Sequence, residues 1–432
     1  MHRILAAVLL AGSLAAQDLF VDATTGNDTN PGTAAQPVKS ITKAVALAGP
    51  GSTIHVLSGV YGPATTGEVL PIRIGITGNV QNLTLRGIGS VVLDMNRQGG
   101  TAIKVGVNAA GGRITNFTFR NMDPNDWWSK VIEAGSYQGP GSASPFEVDR
   151  CVFDGINRGV VIWQNTPPVT GWRVHDNLFL NTTNDAINDF YDLSSNEIYN
   201  NTIVGGLHLG MTTDGSTTQV HNNLIVGKRV GISTGTLQVP GNFRGNDLWN
   251  NSIAWQGTVG SAPPGNYAVD PLFVDATNAN YRLKPASPLI DAGDPAVWAR
   301  ADLDGVSGAV DSDGNGSVLP DVGAYESTPV AFTATWTGPQ PGLLTLQATG
   351  PANRLGVMLL ALGDGRIQIP GASPILLDPN TILPFVPFGA FPLNFSFPFA
   401  GLQKGEKLVL QAFALDPGSG AFQPGRQQWL QW

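Results

Sequence analysis

VHNNLIVG, residues 220–227, is one copy of an eight-residue phrase that recurs along the chain and decides its fold. Successive copies begin 34, 34, 26, 24, 22 and 23 residues apart, a range typical of solenoid repeats. The earlier copies are VQNLTLRG (80–87), ITNFTFRN (114–121), VDRCVFDG (148–155), VHDNLFLN (174–181) and IYNNTIVG (198–205), and a degraded copy, FRGNDLWN (243–250), follows.

Two positions of the phrase are apolar in every copy. The first holds Val, Ile or Phe, and the sixth holds Leu, Phe or Ile. Residues five apart in a straight strand face opposite sides, so the chain must bend between them. After the bend, the fourth position predicts an asparagine ladder, because stacked amides hydrogen-bond from coil to coil. That position is occupied by Leu83, Phe117, Cys151, Asn177, Asn201, Asn223 and Asn246.

A second strand is expected between the phrases. Two strands and a variable connector in each coil predict a parallel β-helix. Residues 40–48 predict a capping helix at its start, because Ile41, Val45 and Ala48 share one helical face. The second-strand segments are AIKV (102–105), VIEA (131–134), VVIW (160–163), AIND (186–189), LHLG (207–210) and VGIS (230–233).

Composition supports an all-β chain and narrows the partners. There are 54 Gly and 31 Pro, the residues of frequent turns, and only 13% of residues are charged. The net charge of −8 disfavours nucleic acid, whose phosphates need clustered Lys and Arg. It also disfavours a strongly anionic polymer, unless a local basic groove exists.

The first residues predict export. His2 and Arg3 precede an apolar run, and Ala15 and Ala16 suit signal peptidase, so residues 1–16 are expected to be a signal peptide. No other stretch is long enough to span a bilayer. We therefore expect an extracellular monomer, secreted or associated with the cell surface, without a transmembrane segment. The single cysteine, Cys151, excludes an internal disulfide, and its place in the phrase predicts a buried small side chain.

The segment from Phe20 to Tyr61 (FVDATTGNDTNPG…STIHVLSGVY) resembles the start of pectate-lyase-like β-helix proteins of the DUF1565 type. The resemblance covers about residues 18–255 and implies a right-handed parallel β-helix, which we place at residues 17–328. It leaves the activity open, because that superfamily contains lyases, hydrolases, epimerases and proteins without known activity. Residues 269–296 and DVGAYE (321–326) resemble the "choice-of-anchor Q" segment that closes many such proteins, and we expect them to form the C-terminal cap of the solenoid.

DSDGNG, residues 311–316, fits the first half of an oxygen-ligand calcium loop. The twelfth position is Val322 and not Glu, so the EF-hand pattern fails there, and Asp321 is the expected substitute. The candidate Ca²⁺ ligands are Asp311, Asp313, Asn315 and Asp321. The alternative is a solvated acidic turn.

Residues 329–432 predict a separate small β-sandwich-like domain. Short apolar strands such as LLTLQATG (343–350) and KLVLQAFAL (407–415) alternate with Gly and Pro turns. Nothing in this region indicates catalysis.

The outer face of the second strand is the candidate site, since side chains of successive coils align there. If Ile103, Ile132, Ile162, Ile187, Leu207 and Leu209 point inward, their neighbours face solvent. The expected outer row is Lys104, Glu133, Trp163, Asn188 and His208, with Asp189 close by, and Trp127, Trp128 and Lys130 lie in one connector.

Three hypotheses remain open for this face. The first is cleavage of a polysaccharide, with Lys104, Lys130 or His208 as the base of a lyase, or with Glu133 and Asp189 as the carboxyl pair of a hydrolase. The second is binding of a polysaccharide or cell-surface glycan through Trp127, Trp128, Trp163 and Asn188. The third is a structural or adhesive surface protein, for which the row is only a solvated face.

Overall fold

The computed structural model describes residues 16–327, apart from 136–143, 164–168, 191–194, 216, 298–300 and 307–317. Beyond residue 330 it describes the backbone of nine further strands. Residues 1–15, nearly all of the expected signal peptide, lie outside the described residues. None of the described helices has the length and apolarity needed to cross a membrane.

The rod is a parallel β-helix with three faces, as the repeat predicts. Each phrase from Ile114 onward supplies two short strands, and a residue with positive φ at its third position makes the bend between them, as at Asn116 (φ 65°) and Asp176 (φ 54°). The expected first copy, residues 80–87, is wrong in register, because Leu85 and not Val80 pairs with Ile114. Leu93 takes the place before Phe119, so Leu83 does not belong to the column of the fourth position. The copies stack in register, so that Val148 pairs with Val174, Val174 with Ile198, and Ile198 with Val220.

We call the three faces sheets 1, 2 and 3. Sheet 1, from the first half of each phrase, contains Gly112–Thr115, Phe146–Asp149, Thr170–His175, Ser195–Tyr199, Gln219–His221 and Phe243–Arg244. Sheet 2, from the second half, contains Thr118–Arg120, Val152–Asp154, Leu178–Thr182, Thr202–Gly206, Leu224–Val226 and Asp247–Trp249. The long strand Thr84–Asp94 joins these two sheets and pairs with Thr53–Tyr61, which pairs with Asp18–Val21.

Sheet 3 consists of the strands between the phrases. It begins one coil earlier and ends one coil later than the sequence indicates. Its strands are Ile72–Ile74, Thr101–Val105, Lys130–Ala134, Arg158–Ile162, Ile187–Asp189, Leu209–Thr213, Val230–Thr234 and Ile253–Gly257.

Columns of identical side-chain types fill the interior. The sixth phrase position stacks Phe119, Phe153 and Phe179 with ring centroids 5.0 and 4.4 Å apart. Burying one such side chain stabilises the fold by roughly 1.5–3 kcal/mol. Cys151 is fully buried in the same core, as predicted, and burial raises the pKa of its thiol to about 12.

The asparagine ladder is confirmed and extends one coil beyond the phrases. The amide nitrogens of Asn177, Asn201 and Asn223 donate to the amide oxygen of the next ladder residue at 2.9–3.0 Å. Asn246 continues the ladder to Asn266 at 2.9 Å. Each nitrogen also donates to a backbone carbonyl, so the buried amides are satisfied as backbone groups are in a sheet.

The predicted capping helix is present at Ile41–Leu47. Ser40 is its N-cap, and its hydroxyl accepts a hydrogen bond from the amide of Lys43 at 3.1 Å. The carboxylate of Glu68, almost completely buried, accepts from the amides of Ile41 at 2.7 Å and Thr42 at 2.9 Å. These contacts satisfy the free N–H groups of the helix start while the apolar face covers the end of the core.

Two expectations for sheet 3 are wrong. LHLG (207–210) is not a strand as a whole, because Gly205 and Gly206 turn with positive φ and the strand starts only at Leu209. Leu207 therefore faces solvent, 72% exposed, and Met211 takes the interior position. Trp163 lies beyond the end of the strand Arg158–Ile162, and the register places Val161 beside Glu133.

Residues 267–327, which we call the closing segment, pack along the outer side of sheet 2. Ala324 and Tyr325 contact Leu178 and Leu180, and the amide of Ala324 donates to the hydroxyl of Thr202 at 2.9 Å. The segment was expected to cap the end of the rod, but it extends along the flank instead. The cause is the apolar outer row of sheet 2, which needs cover from water. The segment also contains the hairpin Phe273–Asp275 with Asn280–Leu283.

The C-terminal region is all-β, as predicted. Its strands are antiparallel, in sheets of three, four and two strands. They are Ala331–Thr337, Gly342–Thr349 and Leu393–Phe399; Phe388–Ala390, Leu355–Ala361, Lys407–Leu415 and Phe422–Gln431; and Asp364–Ile367 with Ile375–Leu377. In the rod and the closing segment, the described residues include short 3-10 helices at Val107–Ala109, Pro240–Asn242 and Ala276–Asn278.

Candidate functional site

The outer row of sheet 3 contains three of the five expected residues. Arg73, Lys104 and Glu133 are neighbours on successive coils, and Val161 and Asn188 follow. His208 also lies on this side of the rod, at the turn that precedes the strand Leu209–Thr213. Trp163 lies just beyond the end of the strand Arg158–Ile162, and its indole N–H donates to Glu133.

Glu133 is held in one orientation by its neighbours. Its Oε1 accepts from the Trp163 Nε1 at 2.7 Å, and its Oε2 accepts from the Thr101 hydroxyl at 3.0 Å. The ammonium groups of Lys104 and Lys130 lie 3.6 and 3.8 Å from its oxygens. Glu133 is nearly buried, so this carboxylate orders its neighbours and is not open to solvent.

Trp163 is buried rather than exposed for stacking. Its ring stacks on Phe190 at 5.6 Å, and the ammonium group of Lys130 lies over it, 5.4 Å from the centroid. Burial lowers the pKa of Lys130, and the opposing effect of Glu133 only partly compensates. Trp163 is therefore a support for Glu133 and Lys130.

Among the aromatic side chains described on this side of the rod, Trp127 and Trp128 face solvent, at 46% and 62% exposure. Their turn is ordered by the carboxylate of Asp126, which accepts from the amide of Trp128 at 3.1 Å and from the hydroxyl of Ser129 at 2.6 Å. These hydrogen bonds lower the pKa of Asp126, Ser129 having the largest effect. The two indoles are thus presented on a fixed turn.

Beneath the indoles lies a network of polar side chains. The guanidinium of Arg158 stacks under the ring of Trp128 at 4.8 Å. The amide oxygen of Asn184, in the orientation that satisfies its contacts, accepts from Arg158 Nε and Nη2 at 2.9 Å each and from Trp127 Nε1 at 3.1 Å. Its amide nitrogen donates to Asp185 at 3.1 Å, which links the aromatic turn to the next coils.

Asp185 and His208 complete the network. Burial raises the pKa of the Asp185 carboxyl, opposed by Arg158 and by the hydrogen bond from Asn188 at 2.6 Å. Burial and Arg229 lower the pKa of His208, so its imidazole is neutral at pH 7. Because Nε2 lies 2.8 Å from Arg229 Nη2, the proton sits on Nδ1, which faces Asp185 at 3.9 Å. Trp127 packs edge-on against His208 at 5.3 Å.

We call this set of seven side chains the tryptophan corner. It runs along the edge where the strands of sheet 3 begin, across five successive coils. Its members are Trp127, Trp128, Arg158, Asn184, Asp185, His208 and Arg229.

Asp189 does not share this surface. It pairs in register with the interior residue Ile162, and it is fully buried. Its oxygens accept from Asn196 at 3.2 Å and from the hydroxyl of Thr218 at 2.7 Å. The structure therefore does not bring Glu133 and Asp189 together on one face of the sheet. Asn188, next to Asp189, is also buried and bonds Asp185.

The expected calcium ligands are only partly within the described residues. Asp311, Asp313 and Asn315 lie outside them. Asp321 is buried, and its two oxygens accept from the amides of Asp291 at 2.9 Å and Ser327 at 2.6 Å, which is a structural role. In the described part of the chain, no three His, Cys, Asp or Glu side chains are placed to hold a metal ion.

Sequence reasoning missed Arg158, Asn184, Asp185 and Arg229. The sequence did contain a signal for Arg158 and Asp185. Both align with Lys130 at the same position of the sheet 3 strands on consecutive coils. This alignment becomes visible only when the strands are placed in their true register. The expected strand VVIW starts two residues after Arg158, and the expected strand AIND starts one residue after Asp185.

The repeat-bearing part of the chain, residues 24–261, matches the family model "Protein of unknown function (DUF1565)". The chain belongs to the DUF1565 family. No curated protein matches it. The tryptophan corner lies within the matched residues of this DUF1565 protein, and the closing segment and the C-terminal region lie beyond them.

Solved structures similar to this DUF1565 protein include three enzymes. Pectate lyase Pel9A is 15% identical, with a TM-score of 0.44, over 73% of this chain and 98% of that one. The GH136 lacto-N-biosidase from Eubacterium ramulus is 12% identical, with a TM-score of 0.42, over 55% of this chain and 53% of that one. A rhamnogalacturonan lyase is 11% identical, with a TM-score of 0.32, over 59% of this chain and 64% of that one. The chain thus spans about half the length of the lacto-N-biosidase, and no activity is carried over from these enzymes.

Proposed function

We propose that this protein binds an extracellular saccharide chain along the tryptophan corner. The observation that supports this most directly is the exposure of Trp127 and Trp128 on a turn ordered by Asp126. Large apolar side chains that remain exposed on an ordered surface mark interaction sites. An indole face packs against the C–H groups of a sugar ring, and an indole costs little conformational entropy to hold in place.

The polar part of the corner suits the hydroxyl groups of a sugar. Arg229 is exposed and offers guanidinium donors, and the partly exposed imidazole of His208 offers a further polar group. Successive coils lie about 4.8 Å apart, so equivalent positions repeat along a line. A linear array of this kind fits a linear chain better than a compact small molecule.

The experiment is a glycan array probed with the purified protein, residues 17–432, and with the Trp127→Ala/Trp128→Ala double variant. Binding to at least one class of glycan is expected, with a loss of about tenfold or more in the variant, since two stacking surfaces disappear. Val107→Ala is the matched control, because Val107 is an exposed apolar side chain away from the corner. Equal binding by the wild type and the double variant would place the site elsewhere, and no binding to any glycan would favour the structural or adhesive hypothesis.

A second candidate function is cleavage of the bound chain. It is favoured by the position of His208, whose imidazole lies 3.9 Å from the buried carboxyl of Asp185. Burial lowers the pKa of His208 and raises that of Asp185, and such opposite shifts are typical of an acid–base pair. Absorbance near 235 nm reports a lyase product, and new reducing ends report hydrolysis. Activity that is lost in His208→Gln or Asp185→Asn while glycan binding persists would establish an enzyme.

The location outside the cell is part of the proposal. It rests on the apolar run after His2 and Arg3 and on the small residues Ala15 and Ala16. N-terminal sequencing of protein recovered from the medium or the cell surface is expected to start at Gln17. A mature protein that retains Met1 inside the cell would contradict it.

A further inference from the structure

The tryptophan corner holds a guanidinium nitrogen whose hydrogen-bonding partner is missing. Arg158 is 5% exposed, and its Nη1 contacts no acceptor among the residues that the structure describes. Its Nε and Nη2 are both engaged by Asn184. A buried donor of a charged group that is left without an acceptor destabilises the folded state. The site is therefore incomplete without a further acceptor.

The carboxylate of Asp185 approaches Arg158 only at Nε, at 3.8 Å, and two cations flank the guanidinium. Arg158 and Lys130 are direct neighbours in register on adjacent coils, an arrangement that is unfavourable for two cations. Arg229 is exposed two coils beyond Asp185 and contributes a further cation. On a chain with a net charge of −8, the four cations of this strip, Lys104, Lys130, Arg158 and Arg229, outnumber its three carboxylates, Asp126, Glu133 and Asp185, by one.

Both oxygens of each carboxylate in the same strip already accept a hydrogen bond. Glu133 accepts from Trp163 and Thr101, Asp126 accepts from Trp128 and Ser129, and Asp185 accepts from Asn188 and Asn184. The free hydrogen-bonding capacity of the strip is thus that of its donors, and an anionic group is the acceptor that matches it.

From this geometry we propose that the tryptophan corner binds an anionic group of the saccharide, a carboxylate or a sulfate, through Arg158 together with Arg229 and Lys130. The sugar ring stacks on Trp128, and its anionic substituent reaches the guanidinium beneath the indole. This inference rests on the proposed function and adds the chemical class of the ligand. The charge is neutralised by side chains, so binding does not need a metal ion.

The test compares charged polymers with their neutralised forms in the presence of EDTA. The probes are polygalacturonate with its carboxyl-reduced form and carrageenan with its desulfated form, which separates a carboxylate from a sulfate. One charged polymer is expected to bind about tenfold or more tightly than its neutral form, and the difference should shrink at high salt, which screens exposed charges.

Arg158→Gln and Arg229→Gln are expected to weaken binding of the charged form to the level of the neutral form. Arg158 is buried, so the Arg229 variant keeps the test valid if the Arg158 variant does not fold. Arg120→Gln is the matched control, because Arg120 is an exposed arginine of sheet 2 paired with Asp94.

Equal binding of the charged and neutral forms would overturn the inference, and so would charged-polymer binding that neither arginine variant weakens. Binding of neutral glycans only, abolished in Trp128→Ala, would overturn the inference and leave the proposed function intact. No binding of any glycan would overturn both.

Discussion

At the residue scale, the fourth position of the phrase has the clearest physical role. Asn201 is fully buried, and its amide bonds both the ladder neighbour above and the one below. The same contacts recur from Asn177 to Asn246, whereas the earlier copies of the phrase have an apolar side chain or Cys151 at this position.

Asn201→Leu is expected to lower the free energy of unfolding by about 1–3 kcal/mol, because Asn177 and Asn223 each lose a buried partner. Chemical denaturation measures this, with Gln98→Leu on the exposed surface as the control. An unchanged denaturation midpoint would show that the ladder contributes nothing to stability.

His175 carries a second prediction at this scale. It is buried between Asp176 at 2.6 Å and Glu147 at 3.3 Å and stacks on Tyr199. Although burial opposes the charged form, these acidic partners raise the pKa of His175 to about 9, above the ordinary 6.5. The raised pKa gives stability that is complete below pH 6.5 and is lost as the pH rises through 9.

The melting temperature of the wild type is therefore expected to fall, relative to that of His175→Gln, between pH 6.5 and 9.5. Comparing the two melting temperatures removes the contribution of Lys228, which is the same in both proteins. Burial lowers the pKa of Lys228 to about 8, so its effect on stability changes with pH in the opposite direction. His55→Gln, at the partly exposed start of the rod, serves as the control. Parallel melting curves of wild type and His175→Gln across this range would contradict the account.

At the scale of single elements, the turn before each strand of sheet 3 decides which side chains reach the corner. Gly206 has a φ of 96°, and a Cβ there would collide with the carbonyl oxygen of Thr182. This turn places Leu207 and His208 on the surface before the strand begins. It also explains why the apolar pattern of LHLG misled the strand assignment.

Gly206→Ala is expected to cost more stability than Gly227→Ala, by on the order of 1–3 kcal/mol. Both glycines have positive φ, 96° and 71°, but a Cβ on Gly227 meets no atom closer than 4.0 Å. Urea denaturation of the two variants measures this difference. Gly206→Ala introduces both the collision and the strain of a positive φ, whereas Gly227→Ala introduces only the strain. Equal losses would show that the approach to Thr182 is not a constraint.

What could be predicted from the sequence differs between the repeated phrases and the connectors. The phrase copies repeat their apolar and Asn positions, so the sheets, the ladder and the cap at Ile41–Leu47 could be predicted. The connectors differ in length and have no period. The register that aligns Lys130, Arg158 and Asp185 could therefore not be predicted. Trp127 and Trp128 were found from their chemistry alone, whereas Asn184 has no feature that separates it from other loop asparagines.

At the scale of the whole molecule, the rod and the closing segment form one packed unit. Leu289 and Val322 of the closing segment cover Leu224 of sheet 2, and the carboxylate of Asp302 binds the amides of Val306 and Glu326. The expected calcium loop, residues 311–316, lies between these contacts in the sequence, so ion binding there is predicted to stabilise the whole rod.

Calcium removal tests that expectation. If Asp311, Asp313 and Asn315 bind Ca²⁺, adding EDTA is expected to lower the melting temperature, because an ion that binds only the folded state stabilises it by mass action. Asp311→Asn with Asp313→Asn should remove the effect. A melting temperature that does not respond to EDTA would favour a plain acidic turn.

The proposed function depends on a sugar binding at the tryptophan corner. The most direct measurement is a crystal structure of the protein soaked with the best-binding oligosaccharide from the array. We expect a sugar ring within about 4–4.5 Å of the Trp128 indole, with an anionic substituent beside Arg158. A ligand seated on another face of the rod, with Trp127 and Trp128 left bare, would contradict it.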